Sequence, residues 1–208
     1  MRILMTAALA TGLAACATME PEQCAVADWR ALGLQDGEAG RSLEYFEART
    51  RDCAKAGFAS DFTTYKTGRE IGLTRYCTPP RGFREGLSGA TYKGVCPSDL
   101  AGEFQVAFNE GARAHQAIDA VRTAEGDIST AKTRIDDVER KLRMNEDGLR
   151  QPNVPEAERR RLEGEVNRLR DERRAARRRL DDAYDRVGYA RRDLDRARAE
   201  IGLRWGAW

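Results

Sequence analysis

Five cysteines, one histidine and a scatter of carboxylates among aromatic rings are the groups in this 208-residue chain that could do chemistry. Asp28, Asp36, Asp61, Glu70 and Glu85 lie near Trp29, Tyr65, Tyr76, Phe83 and Tyr92. Paired carboxylates can serve as acid and base, and carboxylates flanked by rings suit a glycan-binding cleft. Capping and turn roles explain the same residues, with Asp36-Gly37 as a turn. Nucleophilic catalysis needs a base beside the nucleophile, and the single histidine, His115, falls beside a helical seam. Structural zinc needs close cysteine pairs or a histidine cluster. Neither occurs, so the expectation is no metal, no cofactor and no catalytic residue. Residues 76–97, YCTPPRGFREGLSGATYKGVCP, have the glycines of a phosphate loop. They lack its Gly-Lys-Ser/Thr end and the Gly-x-Gly-x-x-Gly spacing. They read instead as a surface loop closed by Cys77 and Cys96. Pro79 and Pro80 end the preceding helix, and Gly82, Gly86, Gly89 and Gly94 take turn or close-approach positions.

The first cysteine stands apart. Arg2 precedes an apolar run from Ile3 to Ala15, shorter than the roughly 20 residues that span a bilayer as a helix. It has the layout of a secretory signal. Leu13-Ala14-Ala15-Cys16 resembles the bacterial lipobox. That resemblance implies cleavage before Cys16, acylation of its thiol and new amino group, a signal peptide at 1–15 and a lipidated tether at 16–27. Ala17, where aspartate would imply inner-membrane retention, implies the periplasmic face of the outer membrane. An exported chain meets an oxidising compartment, so Cys24, Cys53, Cys77 and Cys96 are read as two disulfides. Of three pairings, Cys24–Cys53 and Cys77–Cys96 close the short local loops, each worth on the order of 3 kcal/mol.

Thirty-six basic residues against thirty-four acidic ones leave a net charge of +2, a balance that argues for no acidic partner. The clusters Arg159–Arg161 and Arg177–Arg179 are interleaved with Glu156, Glu158, Glu163, Glu165, Asp181 and Asp182. That is the pattern of a salt-bridged helix face, so no nucleic-acid partner is expected.

The elements that must position these groups change character near Gly111. Beyond it, Val121, Ile128, Ile135, Leu142 and Leu149 recur every seventh residue, with Ala117, Ala124, Ala131 and Val138 between them. A proline-containing break follows, and a second seam runs from Leu162 to Ile201. Large residues alternating with alanine interlock when a faces d, which requires an antiparallel hairpin. Centring it on Pro152 opposes Leu142 with Leu162, Val121 with Ala183 and Ala117 with Val187. The end of the second arm, with Trp205 and Trp208, is expected to dock on the first half. That half reads as short helices: one within Ser42 to Ala56 followed by Gly57, and another from Phe62 to Tyr76 capped by Asp61. Trp29-x3-Gly33-x3-Gly37, Thr64-x3-Gly68-x3-Gly72 and Ala107-x3-Gly111 echo one another. Small residues four apart share a helix face and admit a close neighbour. The fold class is therefore mainly α. A small disulfide-stapled helical/loop domain (28–111) precedes a long antiparallel coiled-coil hairpin (112–204, turn near 149–156) and a tail at 205–208.

DWRALGLQDGEAG, DFTTYKTGREIGLTRYC and GFREGLSGATYKGVCP, over about Asp28 to Pro97, resemble an uncharacterised family of Gly/Cys-rich proteobacterial lipoproteins, domain of unknown function 2799. The charged hairpin is similar to that of many members. The resemblance implies architecture and location and carries no activity. The expected function is a non-enzymatic scaffold or partner-binding module, held in the membrane by its lipid and meeting an envelope protein. Asp28, Trp29, Arg75, Arg81, Phe83, Arg84, Tyr92 and Lys93 are the candidate partner surface. The alternative is a glycan- or peptidoglycan-binding, or carboxylate-based hydrolytic, domain.

Overall fold

The computed structural model describes residues 18–208, and Cys16 with the leader at 1–15 lies outside them. Every regular element among the described residues is helical: α1 (Pro21–Ala25), α2 (Trp29–Glu38), α3 (Leu43–Lys55), α4 (Phe62–Tyr76), α5 (Pro79–Leu87), α6 (Ser98–Leu149) and α7 (Glu156–Trp205). The chain divides into two compact units. One holds residues up to Gly82 with Tyr92–Val106, and the other holds Phe83–Thr91 with Ala107–Trp208.

In the first unit, Asp28 and Asp61 start α2 and α4. Their carboxylates accept from the Ala31 amide at 3.0 Å and the Thr64 amide at 2.9 Å, caps worth about 1 kcal/mol each. The first two glycine echoes are the contact between α2 and α4. A Cβ on Gly33 would sit 2.0 Å from the Tyr65 carbonyl oxygen, and one on Gly68 2.0 Å from that of Arg30. Gly37 and Gly72 repeat the contact one turn on, against the Arg69 and Leu34 carbonyls. The helices therefore touch backbone to backbone. Trp29, Phe46 and Tyr65 stack edgewise or tilted beside them, at centroid spacings of 5.7 and 4.5 Å, in a core shared with Met19, Cys24 and Cys53. Both expected disulfides form, Cys24–Cys53 and Cys77–Cys96.

Within the expected tether at 16–27, the described residues make folded contacts. Thr18 donates from both its amide and its hydroxyl to Asp52 of α3, each at 2.8 Å. Met19 is buried, and Cys24 is bonded to α3. The Thr18 hydroxyl, then its amide, hold the Asp52 carboxyl below its ordinary value. The contact thus contributes fully above the usual carboxylate range and is lost as pH falls through the lowered value.

A correction concerns the stretch between Cys77 and Cys96. Pro79 and Pro80 do not merely end α4; they begin α5, where a missing N–H costs nothing. Gly82 and Gly86 lie on one face of α5, against the Phe104 and Phe108 carbonyls of α6. Gly111 returns the contact against the Phe83 carbonyl, so the third glycine echo also marks a helix contact. Gly89 and Gly94, at φ of 78° and 65°, are the turns.

In the second unit, α6 and α7 pack as an antiparallel hairpin. Trp205 stacks on Phe83 at 4.8 Å, and Ile201 and Trp208 join it around Ala107 and Ala114. The register differs from one centred on Pro152. Glu125 pairs with Arg191, Glu139 with Arg177 and Glu146 with Arg170, at 2.8 to 3.0 Å. A Cβ on Gly148 would lie 3.3 Å from Leu162. These contacts shift the pairing by one heptad, so Leu162 faces Leu149 rather than Leu142, and Ala124 faces Val187. Apolar matching cannot separate registers seven residues apart, because the seam repeats every seven. The flanking charges do.

Cysteines placed at Ala124 and Val187 should therefore crosslink within one chain on mild oxidation. A pair at Val121 and Ala183, about 10 Å apart along the axis in this register, should not; peptide mapping that finds the reverse restores the Pro152-centred pairing. Gly33→Ala or Gly68→Ala should lower the urea midpoint markedly. Gly164→Ala, with open space around it, should raise stability by about 0.5–1 kcal/mol.

Candidate functional site

The eight residues expected to form one partner surface are not one surface. Trp29 and Phe83 are core residues, 8% and 6% exposed, because each is the aromatic that seals a glycine-mediated helix contact. Asp28 and Arg75 come together on the first unit. They line a groove of about 330 Å³ over the α2–α4 contact with Arg30, Ala31, Leu34, Gly68 and Ile71. The Asp28 carboxylate there caps α2, and Arg75 pairs with Glu38. No aromatic ring lines this groove, so it lacks the flat platform on which a sugar stacks. Arg81 and Tyr92 belong to another cluster. The Arg81 guanidinium lies 5.5 Å over the Tyr76 ring, Tyr92 packs 5.1 Å from Phe104, and the Tyr92 hydroxyl accepts from the Cys96 amide at 3.3 Å. Lys93 is exposed beside it, and Arg84 is exposed on the second unit.

The remaining carboxylates separate by burial. Asp61 is a cap, and the Thr64 hydroxyl and amide hold its carboxyl below the ordinary value. Glu70 pairs with Lys66 in solvent. Asp36 is neither a turn residue nor a surface acid, since it is fully buried within α2. Arg41 donates to it at 2.9 Å, Tyr65 donates at 2.9 Å, and Arg49 of α3 closes on its second oxygen. Arg41 and Arg49 also lie over the Tyr45 ring at 4.2 and 4.7 Å. Burial, then the hydrogen bond to Asp36, push the Tyr65 phenol above its ordinary range. The phenol is therefore neutral at physiological pH, and its contribution holds below the usual phenol value and fades only as pH rises beyond it. With Asp36 and Arg49 buried, this network holds α2, α3 and α4 together. Its signal in the sequence was the spacing Trp29, Gly33, Asp36, which puts Asp36 on the buried face of a helix.

His115 is half-buried. Its Nδ1–H donates to the Leu87 carbonyl at 3.1 Å, satisfying the end of α5. Among the described residues no group of three or more His, Cys, Asp or Glu could hold a metal ion.

Further recesses lie on the hairpin. Two grooves of about 540 and 410 Å³ run end to end along one face, floored by Ala120, Ala124, Ala131, Ala176 and Ala190. The Asp127–Arg186 ion pair, at 3.1 Å, bridges the arms where they meet. Alanines at the seam leave the facing helices without side chains large enough to fill this surface.

Removing the buried charge should be costly. Asp36→Asn should lose about 3–5 kcal/mol, because Arg49 is left buried without its partner. Lys66→Ala should change stability by less than about 1 kcal/mol. Equal losses from the two in urea unfolding would show that Asp36 holds nothing together.

No curated protein and no solved structure matches the chain. Residues 28–113, which contain both glycine-mediated helix contacts, match the family described as protein of unknown function, DUF2799.

Proposed function

We propose that this protein is a lipid-anchored scaffold of the outer membrane's periplasmic face, whose hairpin docks an envelope partner. The observation that carries this reading is the alanine-floored groove of the hairpin. Small residues let a second helix approach closely, and charged walls orient it. Asp119 and Asp193 flank one end of the groove and Arg134 and Arg179 the other, so a partner helix of opposite polarity has a preferred direction. Two things support the location. The disulfides Cys24–Cys53 and Cys77–Cys96 suit an oxidising compartment, and Leu13-Ala14-Ala15-Cys16 has the lipobox pattern. No helix among the described residues is long and apolar enough to cross a membrane, so the reading assigns the hold on the bilayer to the acyl chains at Cys16.

A photo-crosslinking amino acid at the exposed, groove-lining Ala120 tests this in intact cells. A discrete envelope-protein adduct is expected. It should fall sharply in the Cys16→Ala variant, which should also leave the membrane fraction. Failure to form any adduct, or an unchanged adduct and membrane partition in Cys16→Ala, goes against the proposal.

A further inference from the structure

We infer that the first unit has a built-in membrane-contact face around Thr18, carrying Val26, Lys55 and Phe58, which its anchor holds in the phospholipid headgroup layer. This rests on the reading of Cys16 as the lipidated residue. A lipoprotein domain on a flexible tether can drift clear of the bilayer. Here folded contacts are already present at Thr18, two residues after Cys16. Thr18 is fixed to Asp52 through its amide and hydroxyl, and Met19 is 7% exposed in the core. The Cys24–Cys53 disulfide then locks the next turn of chain onto the same helix. Two residues reach at most about 7 Å, which is comparable to one headgroup layer. Whatever surrounds Thr18 is therefore delivered to the lipid surface.

What surrounds it suits that surface. A recess of about 410 Å³ is lined by Thr18, Val26, Ala27 and Leu32, with Asp28 and Arg49 among its polar residues. Val26 is 83% exposed, an unusual state for a valine that follows a disulfide cysteine by two positions. On the other side, Asp52, the partner of Thr18, pairs with Lys55 at 3.4 Å. The neighbouring Cys53 carbonyl accepts from the amide of Phe58, whose side chain is 38% exposed. Val26 and Lys55 thus lie beside the attachment point, and Phe58 follows α3 on the segment bonded to Cys53; an aliphatic side chain, a ring and a lysine are the mixture that partitions into a headgroup layer.

The lipidated full-length protein, reconstituted in phosphatidylethanolamine/phosphatidylglycerol vesicles, provides the test. A benzophenone amino acid replaces Val26 or Phe58, which spares the cysteines, and phospholipid adducts are read by intact mass after irradiation. Adducts are expected at both positions. They should be lost when about 20 Gly/Ser residues, reaching about 25 Å, are inserted between Ala17 and Thr18. A protein that floats with the vesicles and carries acylated Cys16 but gives no adduct overturns the inference. Adducts undiminished by the insertion overturn it too, since the short connection is then not what holds the face down. A protein that neither floats nor carries acyl chains instead overturns the anchor reading on which it stands.

Discussion

Contact between the α2 and α4 backbones is the constraint from which the first unit follows. Four glycines, Gly33, Gly37, Gly68 and Gly72, face carbonyl oxygens at separations no Cβ could share. At that distance the helices exchange dispersion contacts and Cα–H to carbonyl interactions along two turns. They also leave little side-chain volume between them, so the core must form at the margins. It does so on one side through Trp29, Phe46 and Tyr65. The close approach brings the Tyr65 hydroxyl to Asp36, and the charge of Asp36 then demands Arg41 and Arg49. A buried carboxylate is costly alone and strongly coupled once paired. The glycines and the ion network are consequently one device: the first sets the separation at which the second closes.

A unit this small cannot rely on apolar burial alone. The disulfides supply the difference at its two chain ends. Cys24–Cys53 ties the N-terminal segment to α3, and Cys77–Cys96 joins the end of α4 to the residues just before α6. The cross-link therefore straddles α5, and α5 gains its own glycine contacts with α6 while its ends are covalently constrained. His115 completes this arrangement by donating to the Leu87 carbonyl at the end of α5.

Local features were legible in the sequence because their causes are local. Asp61 and Tyr76 bound α4 as the capping pattern and the cysteine-proline run imply, and Gly57 follows α3 with positive φ. The disulfide pairing followed from loop size, and the hairpin from its heptads. The glycine faces were visible as spacing, although not which helix each would meet. Three features were hidden by a wrong local assignment or by distance. Pro79 and Pro80 stop one helix and start another with the same chemistry, so in the sequence alone the helix containing Phe83 reads as a loop and Phe83 as a surface residue. Asp36-Gly37 has turn composition, yet tertiary contact with α4 kept it helical and buried the carboxylate. Trp29 looked available to a ligand because nothing in its neighbourhood along the chain reveals Phe46 packed on it.

The hairpin register shows a different limit, set by symmetry rather than by distance. Any seam with large residues alternating with alanine at heptad spacing matches itself after a shift of seven, so core complementarity leaves a ladder of nearly equal pairings. Exposed ion pairs contribute little to stability individually. Between near-equal registers, however, a small difference repeated along the arms decides. Glu125–Arg191, Glu139–Arg177 and Glu146–Arg170 share one register, and a slip to the Pro152-centred pairing would keep one such match, Glu139 with Arg170, while setting Glu125 against Tyr184 and Glu146 against Glu163. Surface charge here thus selects among structures that the core alone cannot distinguish. The alanines that make the core degenerate also leave the groove open. A helix laid into that groove would face the same ambiguity, and the Asp127–Arg186 bridge, with acids on one side and arginines on the other, is the feature that would fix its position.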